Sequence, residues 1–102
     1  MQAMIVVNAI VKTTPETIVA LQGAISTMEA ASRAEPGCID YTFSVELNDS
    51  GVVRITEKWQ TLDDLKAHFE TPHMAEFQAV MGANPPESMD AHFYEVSEIN
   101  PF

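Results

Sequence analysis

The segment EKWQTLDDLKAHFETPH, residues 57–73, contains the transition from a strand to two short helices. Side chains alternate between the two faces of a strand, so Val53, Ile55, Glu57 and Trp59 share one face. The residues between them are polar or charged, which makes the shared face the buried one. Glu57 is therefore a carboxylate on the apolar side of a strand, where it must be paired or become neutral.

The second half of this segment predicts two helices. Thr61 opens a T-x-x-D capping box, which indicates a helix to about Phe69. Thr71-Pro72 then indicates a new helix start. That helix should continue to about Met81, with three apolar side chains facing inward: Met74, Phe77 and Met81.

Upstream and downstream patterns complete one domain over residues 1–102. Met4–Lys12 is an apolar, β-branched run that predicts a strand buried on both faces. A helix should run from the Thr14 cap to residues 32–34, and an alternating strand should follow over residues 39–47, with Tyr41 facing inward. Residues 48–51 suit a hairpin turn, residues 82–88 a loop and residues 91–99 a last strand. The order β-α-β-β-α-β predicts an α+β, ferredoxin-like domain: a four-stranded antiparallel sheet with helices on one face.

Composition restricts the partners. The formal charge is −10, with 5 Lys+Arg against 15 Asp+Glu, so we expect neither nucleic acid nor an anionic membrane as a partner. The apolar run over residues 5–11 is too short to span a bilayer, and residues 1–4 resemble no secretion signal. A single cysteine, Cys38, allows no intrachain disulfide. We expect a cytoplasmic protein.

Several polar and aromatic residues could form a site. Asn8 interrupts the apolar first strand, either as a satisfied structural amide or as a donor to a ligand oxygen. Trp59 is either a core aromatic or the wall of a pocket for a flat substrate. Glu57 and Tyr41 have inward parity on neighbouring strands, and Glu57 could pair with an arginine or a backbone N–H of a partner subunit, or accept a phenolic proton.

His68 and His73 are two further candidates. Each could be a general base, a hydrogen-bond donor or simply a structural histidine. Their spacing of five, interrupted by Pro72, does not match a helical metal-binding pair, and the sequence has no H-E-x-x-H motif. We therefore expect no metal.

Two motifs together resemble the antibiotic biosynthesis monooxygenase (ABM) superfamily: E-P-G-C-x-x-Y over residues 35–41, and E-x-W-x-T-x(3)-L-x-x-H-x(2)-T-P-H over residues 57–73. The resemblance implies a dimeric α+β barrel, in which two sheets pack face to face and the last strand reaches the partner. It also implies a pocket role for Asn8. The haem-degrading branch has a tryptophan where this chain has His68 and a haem ligand where it has Gln78, so the resemblance favours the quinol monooxygenase-like branch.

That branch implies a reaction without metal, flavin or other cofactor. A phenol, quinol or polyketide-like substrate would lose a proton to His68 or His73, and its anion would reduce O2 directly. Asn8 and Trp59 would position the substrate, with Tyr41 and Glu57 nearby. The alternatives are a non-redox isomerase, a binding module for aromatic ligands, or a dimeric domain with no pocket on the same scaffold.

Overall fold

The computed structural model describes residues 3–102, so Met1 and Gln2 of the N-terminal stretch considered above lie outside the described residues. The strands are β1 (Met4–Lys12), β2 (Cys38–Glu46), β3 (Asp49–Trp59) and β4 (Ser88–Val96). The helices are α1 (Pro15–Arg33), α2 (Leu62–Phe69) and α3 (Pro72–Ala83). No helix in residues 3–102 is long and apolar enough to cross a bilayer.

The four strands form one antiparallel sheet in the order β2-β3-β1-β4. Helix α1 packs on β2 and β3, α3 packs on α1, and α2 contacts β1 and β3. All three helices therefore lie over the same face of the sheet, and β4, at one edge, makes most of its contacts with β1. The predicted ferredoxin-like α+β fold is confirmed.

Local signals start the helices where they were predicted. The hydroxyls of Thr14, Thr61 and Thr71 each accept a hydrogen bond from the backbone N–H three residues on, as N-caps do. Gly37 has a φ of 81°, a conformation that glycine adopts without strain, and a Cβ at this position would collide with the Asp64 carboxyl group. The E-P-G turn is thus tied closely to the start of α2.

Three boundaries differ from the predictions. The β2–β3 hairpin turns at residues 47–48, so Leu47 is 95% exposed instead of facing inward. A break in register between Cys38 and Asp40 takes Ile39 out of the alternation and leaves it 50% exposed. β4 begins and ends three residues earlier than predicted, because Ser88 already pairs with Lys12.

Only the helix-facing side of β1 is fully buried. Ile5, Val7, Ala9 and Val11 are buried there, whereas Val6 and Ile10 are half-buried on the other side. The prediction that this strand is buried on both faces is wrong for the single chain, because every helix covers the same face. We refer to the uncovered side as the open face of the sheet.

Candidate active site

A cavity of about 460 Å³ lies between the helix-facing side of the sheet and α1 and α3. This volume is in the range of small-molecule sites in proteins, roughly 300–1,000 Å³. Its lining is mainly apolar and includes four phenylalanines: Phe43, Phe69, Phe77 and Phe93. Three lining residues carry polar side-chain groups: Tyr41, Glu57 and Gln78. None of the 5 lysines and arginines lines it. Such a cavity favours a flat, apolar guest without negative charge.

Glu57 supplies the acidic group of the cavity. It is 9% exposed, and its Oε1 accepts a hydrogen bond of 3.0 Å from the indole Nε1 of Trp59. Burial raises the pKa of the Glu57 carboxyl group, while the Trp59 hydrogen bond and the charge of His68 oppose that rise. The carboxyl group therefore has an increased proton affinity, which suits a general base.

Tyr41 faces Glu57 across the β2–β3 ladder. Burial, followed by the charge of Glu57, raises the pKa of the Tyr41 phenol well above its ordinary value of 10.0. The phenol therefore stays protonated at neutral pH and can donate a hydrogen bond to a ligand oxygen. Glu57 and Tyr41 thus occupy paired positions on neighbouring strands, and both line the cavity.

Trp59 occupies the core behind these two residues. It is completely buried and does not line the large cavity. Its indole N–H already donates to Glu57, so this group is not free to bind a substrate. Of the two predicted roles, the structure places Trp59 in the core one, with the added function of holding the Glu57 carboxylate.

His68 and His73 both form a hydrogen bond with the same acidic residue, Glu35. Oε2 of Glu35 lies 2.6 Å from Nδ1 of His68 and 2.7 Å from Nε2 of His73. His68 is completely buried, and its Nε2 has no hydrogen-bond partner within the described residues. His73 is partly exposed and lines a separate, smaller groove. Neither ring lines the large cavity, where the predicted base would have to act.

Local structure explains why the histidines converge. The Thr71 hydroxyl donates to the His68 carbonyl at 2.8 Å and caps α3 at the same time, so it joins the end of α2 to the start of α3. On the other side, the backbone N–H of Gln60 donates to the Gly37 carbonyl at 2.8 Å. This bond holds the turn that carries Glu35 against the end of β3.

Within residues 3–102, one group of side chains has donor atoms close enough together to hold a metal ion, all within 4.8 Å of one another: Glu35, His68 and His73. Two imidazoles and a carboxylate form a donor set that suits zinc or iron. However, a metal-bound histidine almost always donates its other N–H to a partner, and Nε2 of His68 has none. The two contacts of 2.6 and 2.7 Å are hydrogen-bond distances, so the arrangement fits a carboxylate clamp better than a metal centre.

Asn8, like Trp59 and the two histidines, is a predicted site residue that does not line the cavity. Val7 and Ala9 face the helices, and alternation therefore turns Asn8 to the open face, where it is exposed. It pairs in register with Thr56 and His92. The predicted contact between Asn8 and a substrate in the pocket is thus wrong for the cavity described here.

Two residues, Glu35 and Gln78, were not identified from the sequence as members of the site. Glu35 entered only as the first residue of the E-P-G-C-x-x-Y motif, and Gln78 only as the counterpart of a haem ligand. The motif E-P-G-C contained the signal for Glu35, because an acidic residue before a Pro-Gly turn is held in a fixed position after its helix. Its partners 33 and 38 residues away become visible only in the fold.

Comparison with known families agrees with this architecture. The model of the family described as "Antibiotic biosynthesis monooxygenase" matches residues 4–80, which include β1 to most of α3. The chain belongs to this family. The match covers the motifs around Glu35 and Glu57 and both histidines, but it stops before β4.

The individual proteins to which this chain is similar share about a fifth to a third of the aligned residues with it. An uncharacterised protein of Synechocystis sp. is 33% identical over 73 residues, 72% of this chain, and the chain spans about half (50%) of the length of that relative. A structure of a proposed antibiotic biosynthesis monooxygenase from Caulobacter crescentus is 26% identical, with a TM-score of 0.84 over 95% of this chain and 92% of the other. A similarly described protein from Deinococcus radiodurans is 21% identical, with a TM-score of 0.87 over 96% and 97% of the two chains. The last likeness shows the fold alone.

Proposed function

We propose that this ABM-family protein is a monooxygenase that oxidises a small, uncharged phenol, quinol or polyketide-like substrate with O2 and without metal or flavin. The observation that supports this proposal most strongly is the buried Glu57 carboxyl group beside the protonated Tyr41 phenol in a cavity lined mainly by apolar residues. A flat aromatic substrate would pack against the phenylalanines, and its hydroxyl group would point to Glu57.

The proposed reaction begins with proton transfer. The substrate gives a proton to Glu57, and Tyr41 donates a hydrogen bond to the oxyanion that forms. This assignment replaces His68 and His73 as the base, because neither ring lines the cavity. The electron-rich anion then transfers one electron to O2, the two radicals combine to a peroxide, and cleavage of its O–O bond with loss of water leaves a quinone. The apolar walls keep bulk water away from the anion.

An oxygen electrode tests the proposal directly. Metal-depleted protein is mixed with a panel of quinols and anthrones, and oxygen uptake is compared with that of Glu57→Gln. We expect uptake by the wild type and a loss of about 10²–10⁴-fold in the variant. Glu95→Gln is the matched control, because Glu95 has the same parity in the sheet but is exposed on β4. No uptake with any member of the panel would contradict the proposal.

A second function has a specific observation in its favour. A carboxylate base beside a neutral hydroxyl donor in an apolar cavity is also the arrangement that isomerases use to move a proton next to a carbonyl group. In that case Glu57 would remove the proton and return it to another carbon, while Tyr41 stabilises the enolate. A product of unchanged mass that forms without oxygen, and loss of that product in Glu57→Gln, would favour this function. Thermal stabilisation by the same compounds without any product would favour a binding module.

The proposal includes a homodimer in the cytoplasm. Val6 and Ile10 are half-buried on the open face although no helix covers them, and Tyr94 of β4 is 48% exposed on that side. A second copy packed through its own open face, with the C-terminal strand reaching across, would remove these side chains from water. We expect light scattering to give twice the 11.2 kDa chain mass at micromolar concentration. A monomer under those conditions would contradict this part.

A further inference from the structure

The clamp formed by Glu35, His68 and His73 has no part in the reaction proposed above, although it lies beside the site. Its three members come from the turn after α1, from α2 and from the first turn of α3. One carboxylate oxygen accepts from both rings, which places a hydrogen on Nδ1 of His68 and on Nε2 of His73. Because Nδ1 of His68 is used in this way, only Nε2 is left for a second partner, and it is buried without one within the described residues.

A buried histidine nitrogen without a hydrogen-bond partner is unusual. His68 has no exposed surface, and its Nε2 has no partner within the described residues. Buried polar atoms without partners are unfavourable and uncommon, and each calls for an explanation.

His68 shares the two neighbours of Glu57. Its ring centre lies 4.8 Å from that of Trp59, which donates to the Glu57 carboxylate. It lies 5.2 Å from the ring centre of Tyr41, which is the cross-strand partner of Glu57. A positive charge on His68 would therefore act on Glu57 through a dry, aromatic environment, where charge interactions are strong.

We propose that Glu35 is a positioning residue: it holds His68 by Nδ1 and supplies the negative charge that lets His68 act as the buried cationic partner of Glu57. This inference rests on the role of Glu57 as base in the proposed function. The alternation Glu35⁻, His68⁺, Glu57⁻ would oppose the effect of burial on the cavity carboxylate, because the charge of His68 lowers the pKa of Glu57 and outweighs the smaller direct effect of Glu35, which raises it.

Other titratable groups pack around His68 and must be considered with it. Besides Glu35 and Glu57, they are Tyr41 and Cys38 on β2 and His73 on α3. Burial raises the pKa of both the Tyr41 phenol and the Cys38 thiol, so these two stay neutral at neutral pH.

Carbon-13 NMR of the glutamate carboxyl groups tests the inference without any substrate. We expect the Glu57 titration to move to higher pH in His68→Gln, because that variant removes the positive charge directly. In Glu35→Gln it should also move to higher pH, but by less, because the weaker positive charge on His68 is partly offset by the loss of direct repulsion from Glu35. Glu70→Gln, an exposed change at the end of α2, should leave it in place. Nitrogen-15 spectra should also show His68 protonated at Nδ1 in the wild type. An unchanged Glu57 titration in both clamp variants would overturn the inference.

If Glu35→Gln does not fold, His68→Gln provides the test by itself, since it removes the proposed positive charge directly. With an active substrate, kcat should fall in Glu35→Gln by about tenfold at acidic pH and less at alkaline pH, with KM unchanged. Absence of activity with every substrate would refute the proposed function but leave the NMR result to decide on the clamp. A His68 Nδ1 signal that changes when a chelator is added would reveal a metal ion instead and would overturn the inference.

Discussion

The two ends of the cavity are built differently. At the β2–β3 end, Tyr41, Glu57 and Trp59 are buried and a hydrogen bond fixes the carboxylate. At the β4 end, Met89 and Phe93 line the same cavity but are 54% and 55% exposed, because no helix packs closely on that strand. The closed end has the rigidity that chemistry requires, whereas the open end leaves an entrance and apolar surface for a further element to cover.

Truncation of one aromatic residue at each end should give the largest contrast. Trp59→Ala removes a completely buried ring and the donor to Glu57, and we expect it to lower the free energy of unfolding by about 3–5 kcal/mol. Phe93→Ala removes a ring that is more than half exposed and should cost less than about 1 kcal/mol in the monomer. Urea denaturation of both variants measures the difference. Equal losses would show that the β4 end is as well packed in solution as the other end.

The fold could be predicted from the sequence more completely than the closed end of the cavity. Caps, turn residues and strand alternation are local signals, and they gave the element order, the threonine caps and the inward position of Glu57. The clamp was not predictable, because it requires Glu35 to meet side chains 33 and 38 residues away. Asn8 was misplaced because β1 was taken as buried on both faces, so its parity was not used. Ile39 was misplaced because nothing in a single strand reveals a break in register.

A smaller difference is expected between two variants that each lose one tyrosine hydroxyl, one on each face of the sheet. Tyr41→Phe deletes the donor that we expect to stabilise the oxyanion, and kcat should fall by about 10²–10³-fold with the fold intact. Tyr94→Phe deletes the same group from the open face and should leave kcat within about twofold of the wild type. Steady-state oxygen uptake with the best substrate of the panel measures both. Similar rates for the two variants would exclude Tyr41 as a donor to the reacting oxygen.

The smallest expected effect concerns stability and pH at the closed end. The pKa of Glu57 is raised in the folded protein above its ordinary value of 4.5. The folded state therefore binds this proton more tightly than the unfolded state does. The stability linked to it is fully present below about pH 4.5 and is lost as the pH rises through the pKa of the folded protein.

Glu57→Gln removes this titration but keeps a group that can accept from Trp59. Relative to the wild type, the variant should therefore gain stability progressively as the pH is raised from about 4.5 towards neutrality. For a chain of this size, each gain of about 1 kcal/mol corresponds to about 4–8 °C in Tm. Calorimetry across that range measures it, with Glu95→Gln as the exposed control at the open end. A gain of the same size in the control would assign the effect to the net charge of −10 instead of to the burial of Glu57. A loss of stability in Glu57→Gln with rising pH would mean that the carboxylate is better stabilised in the folded protein than in water, which would contradict the raised pKa of Glu57.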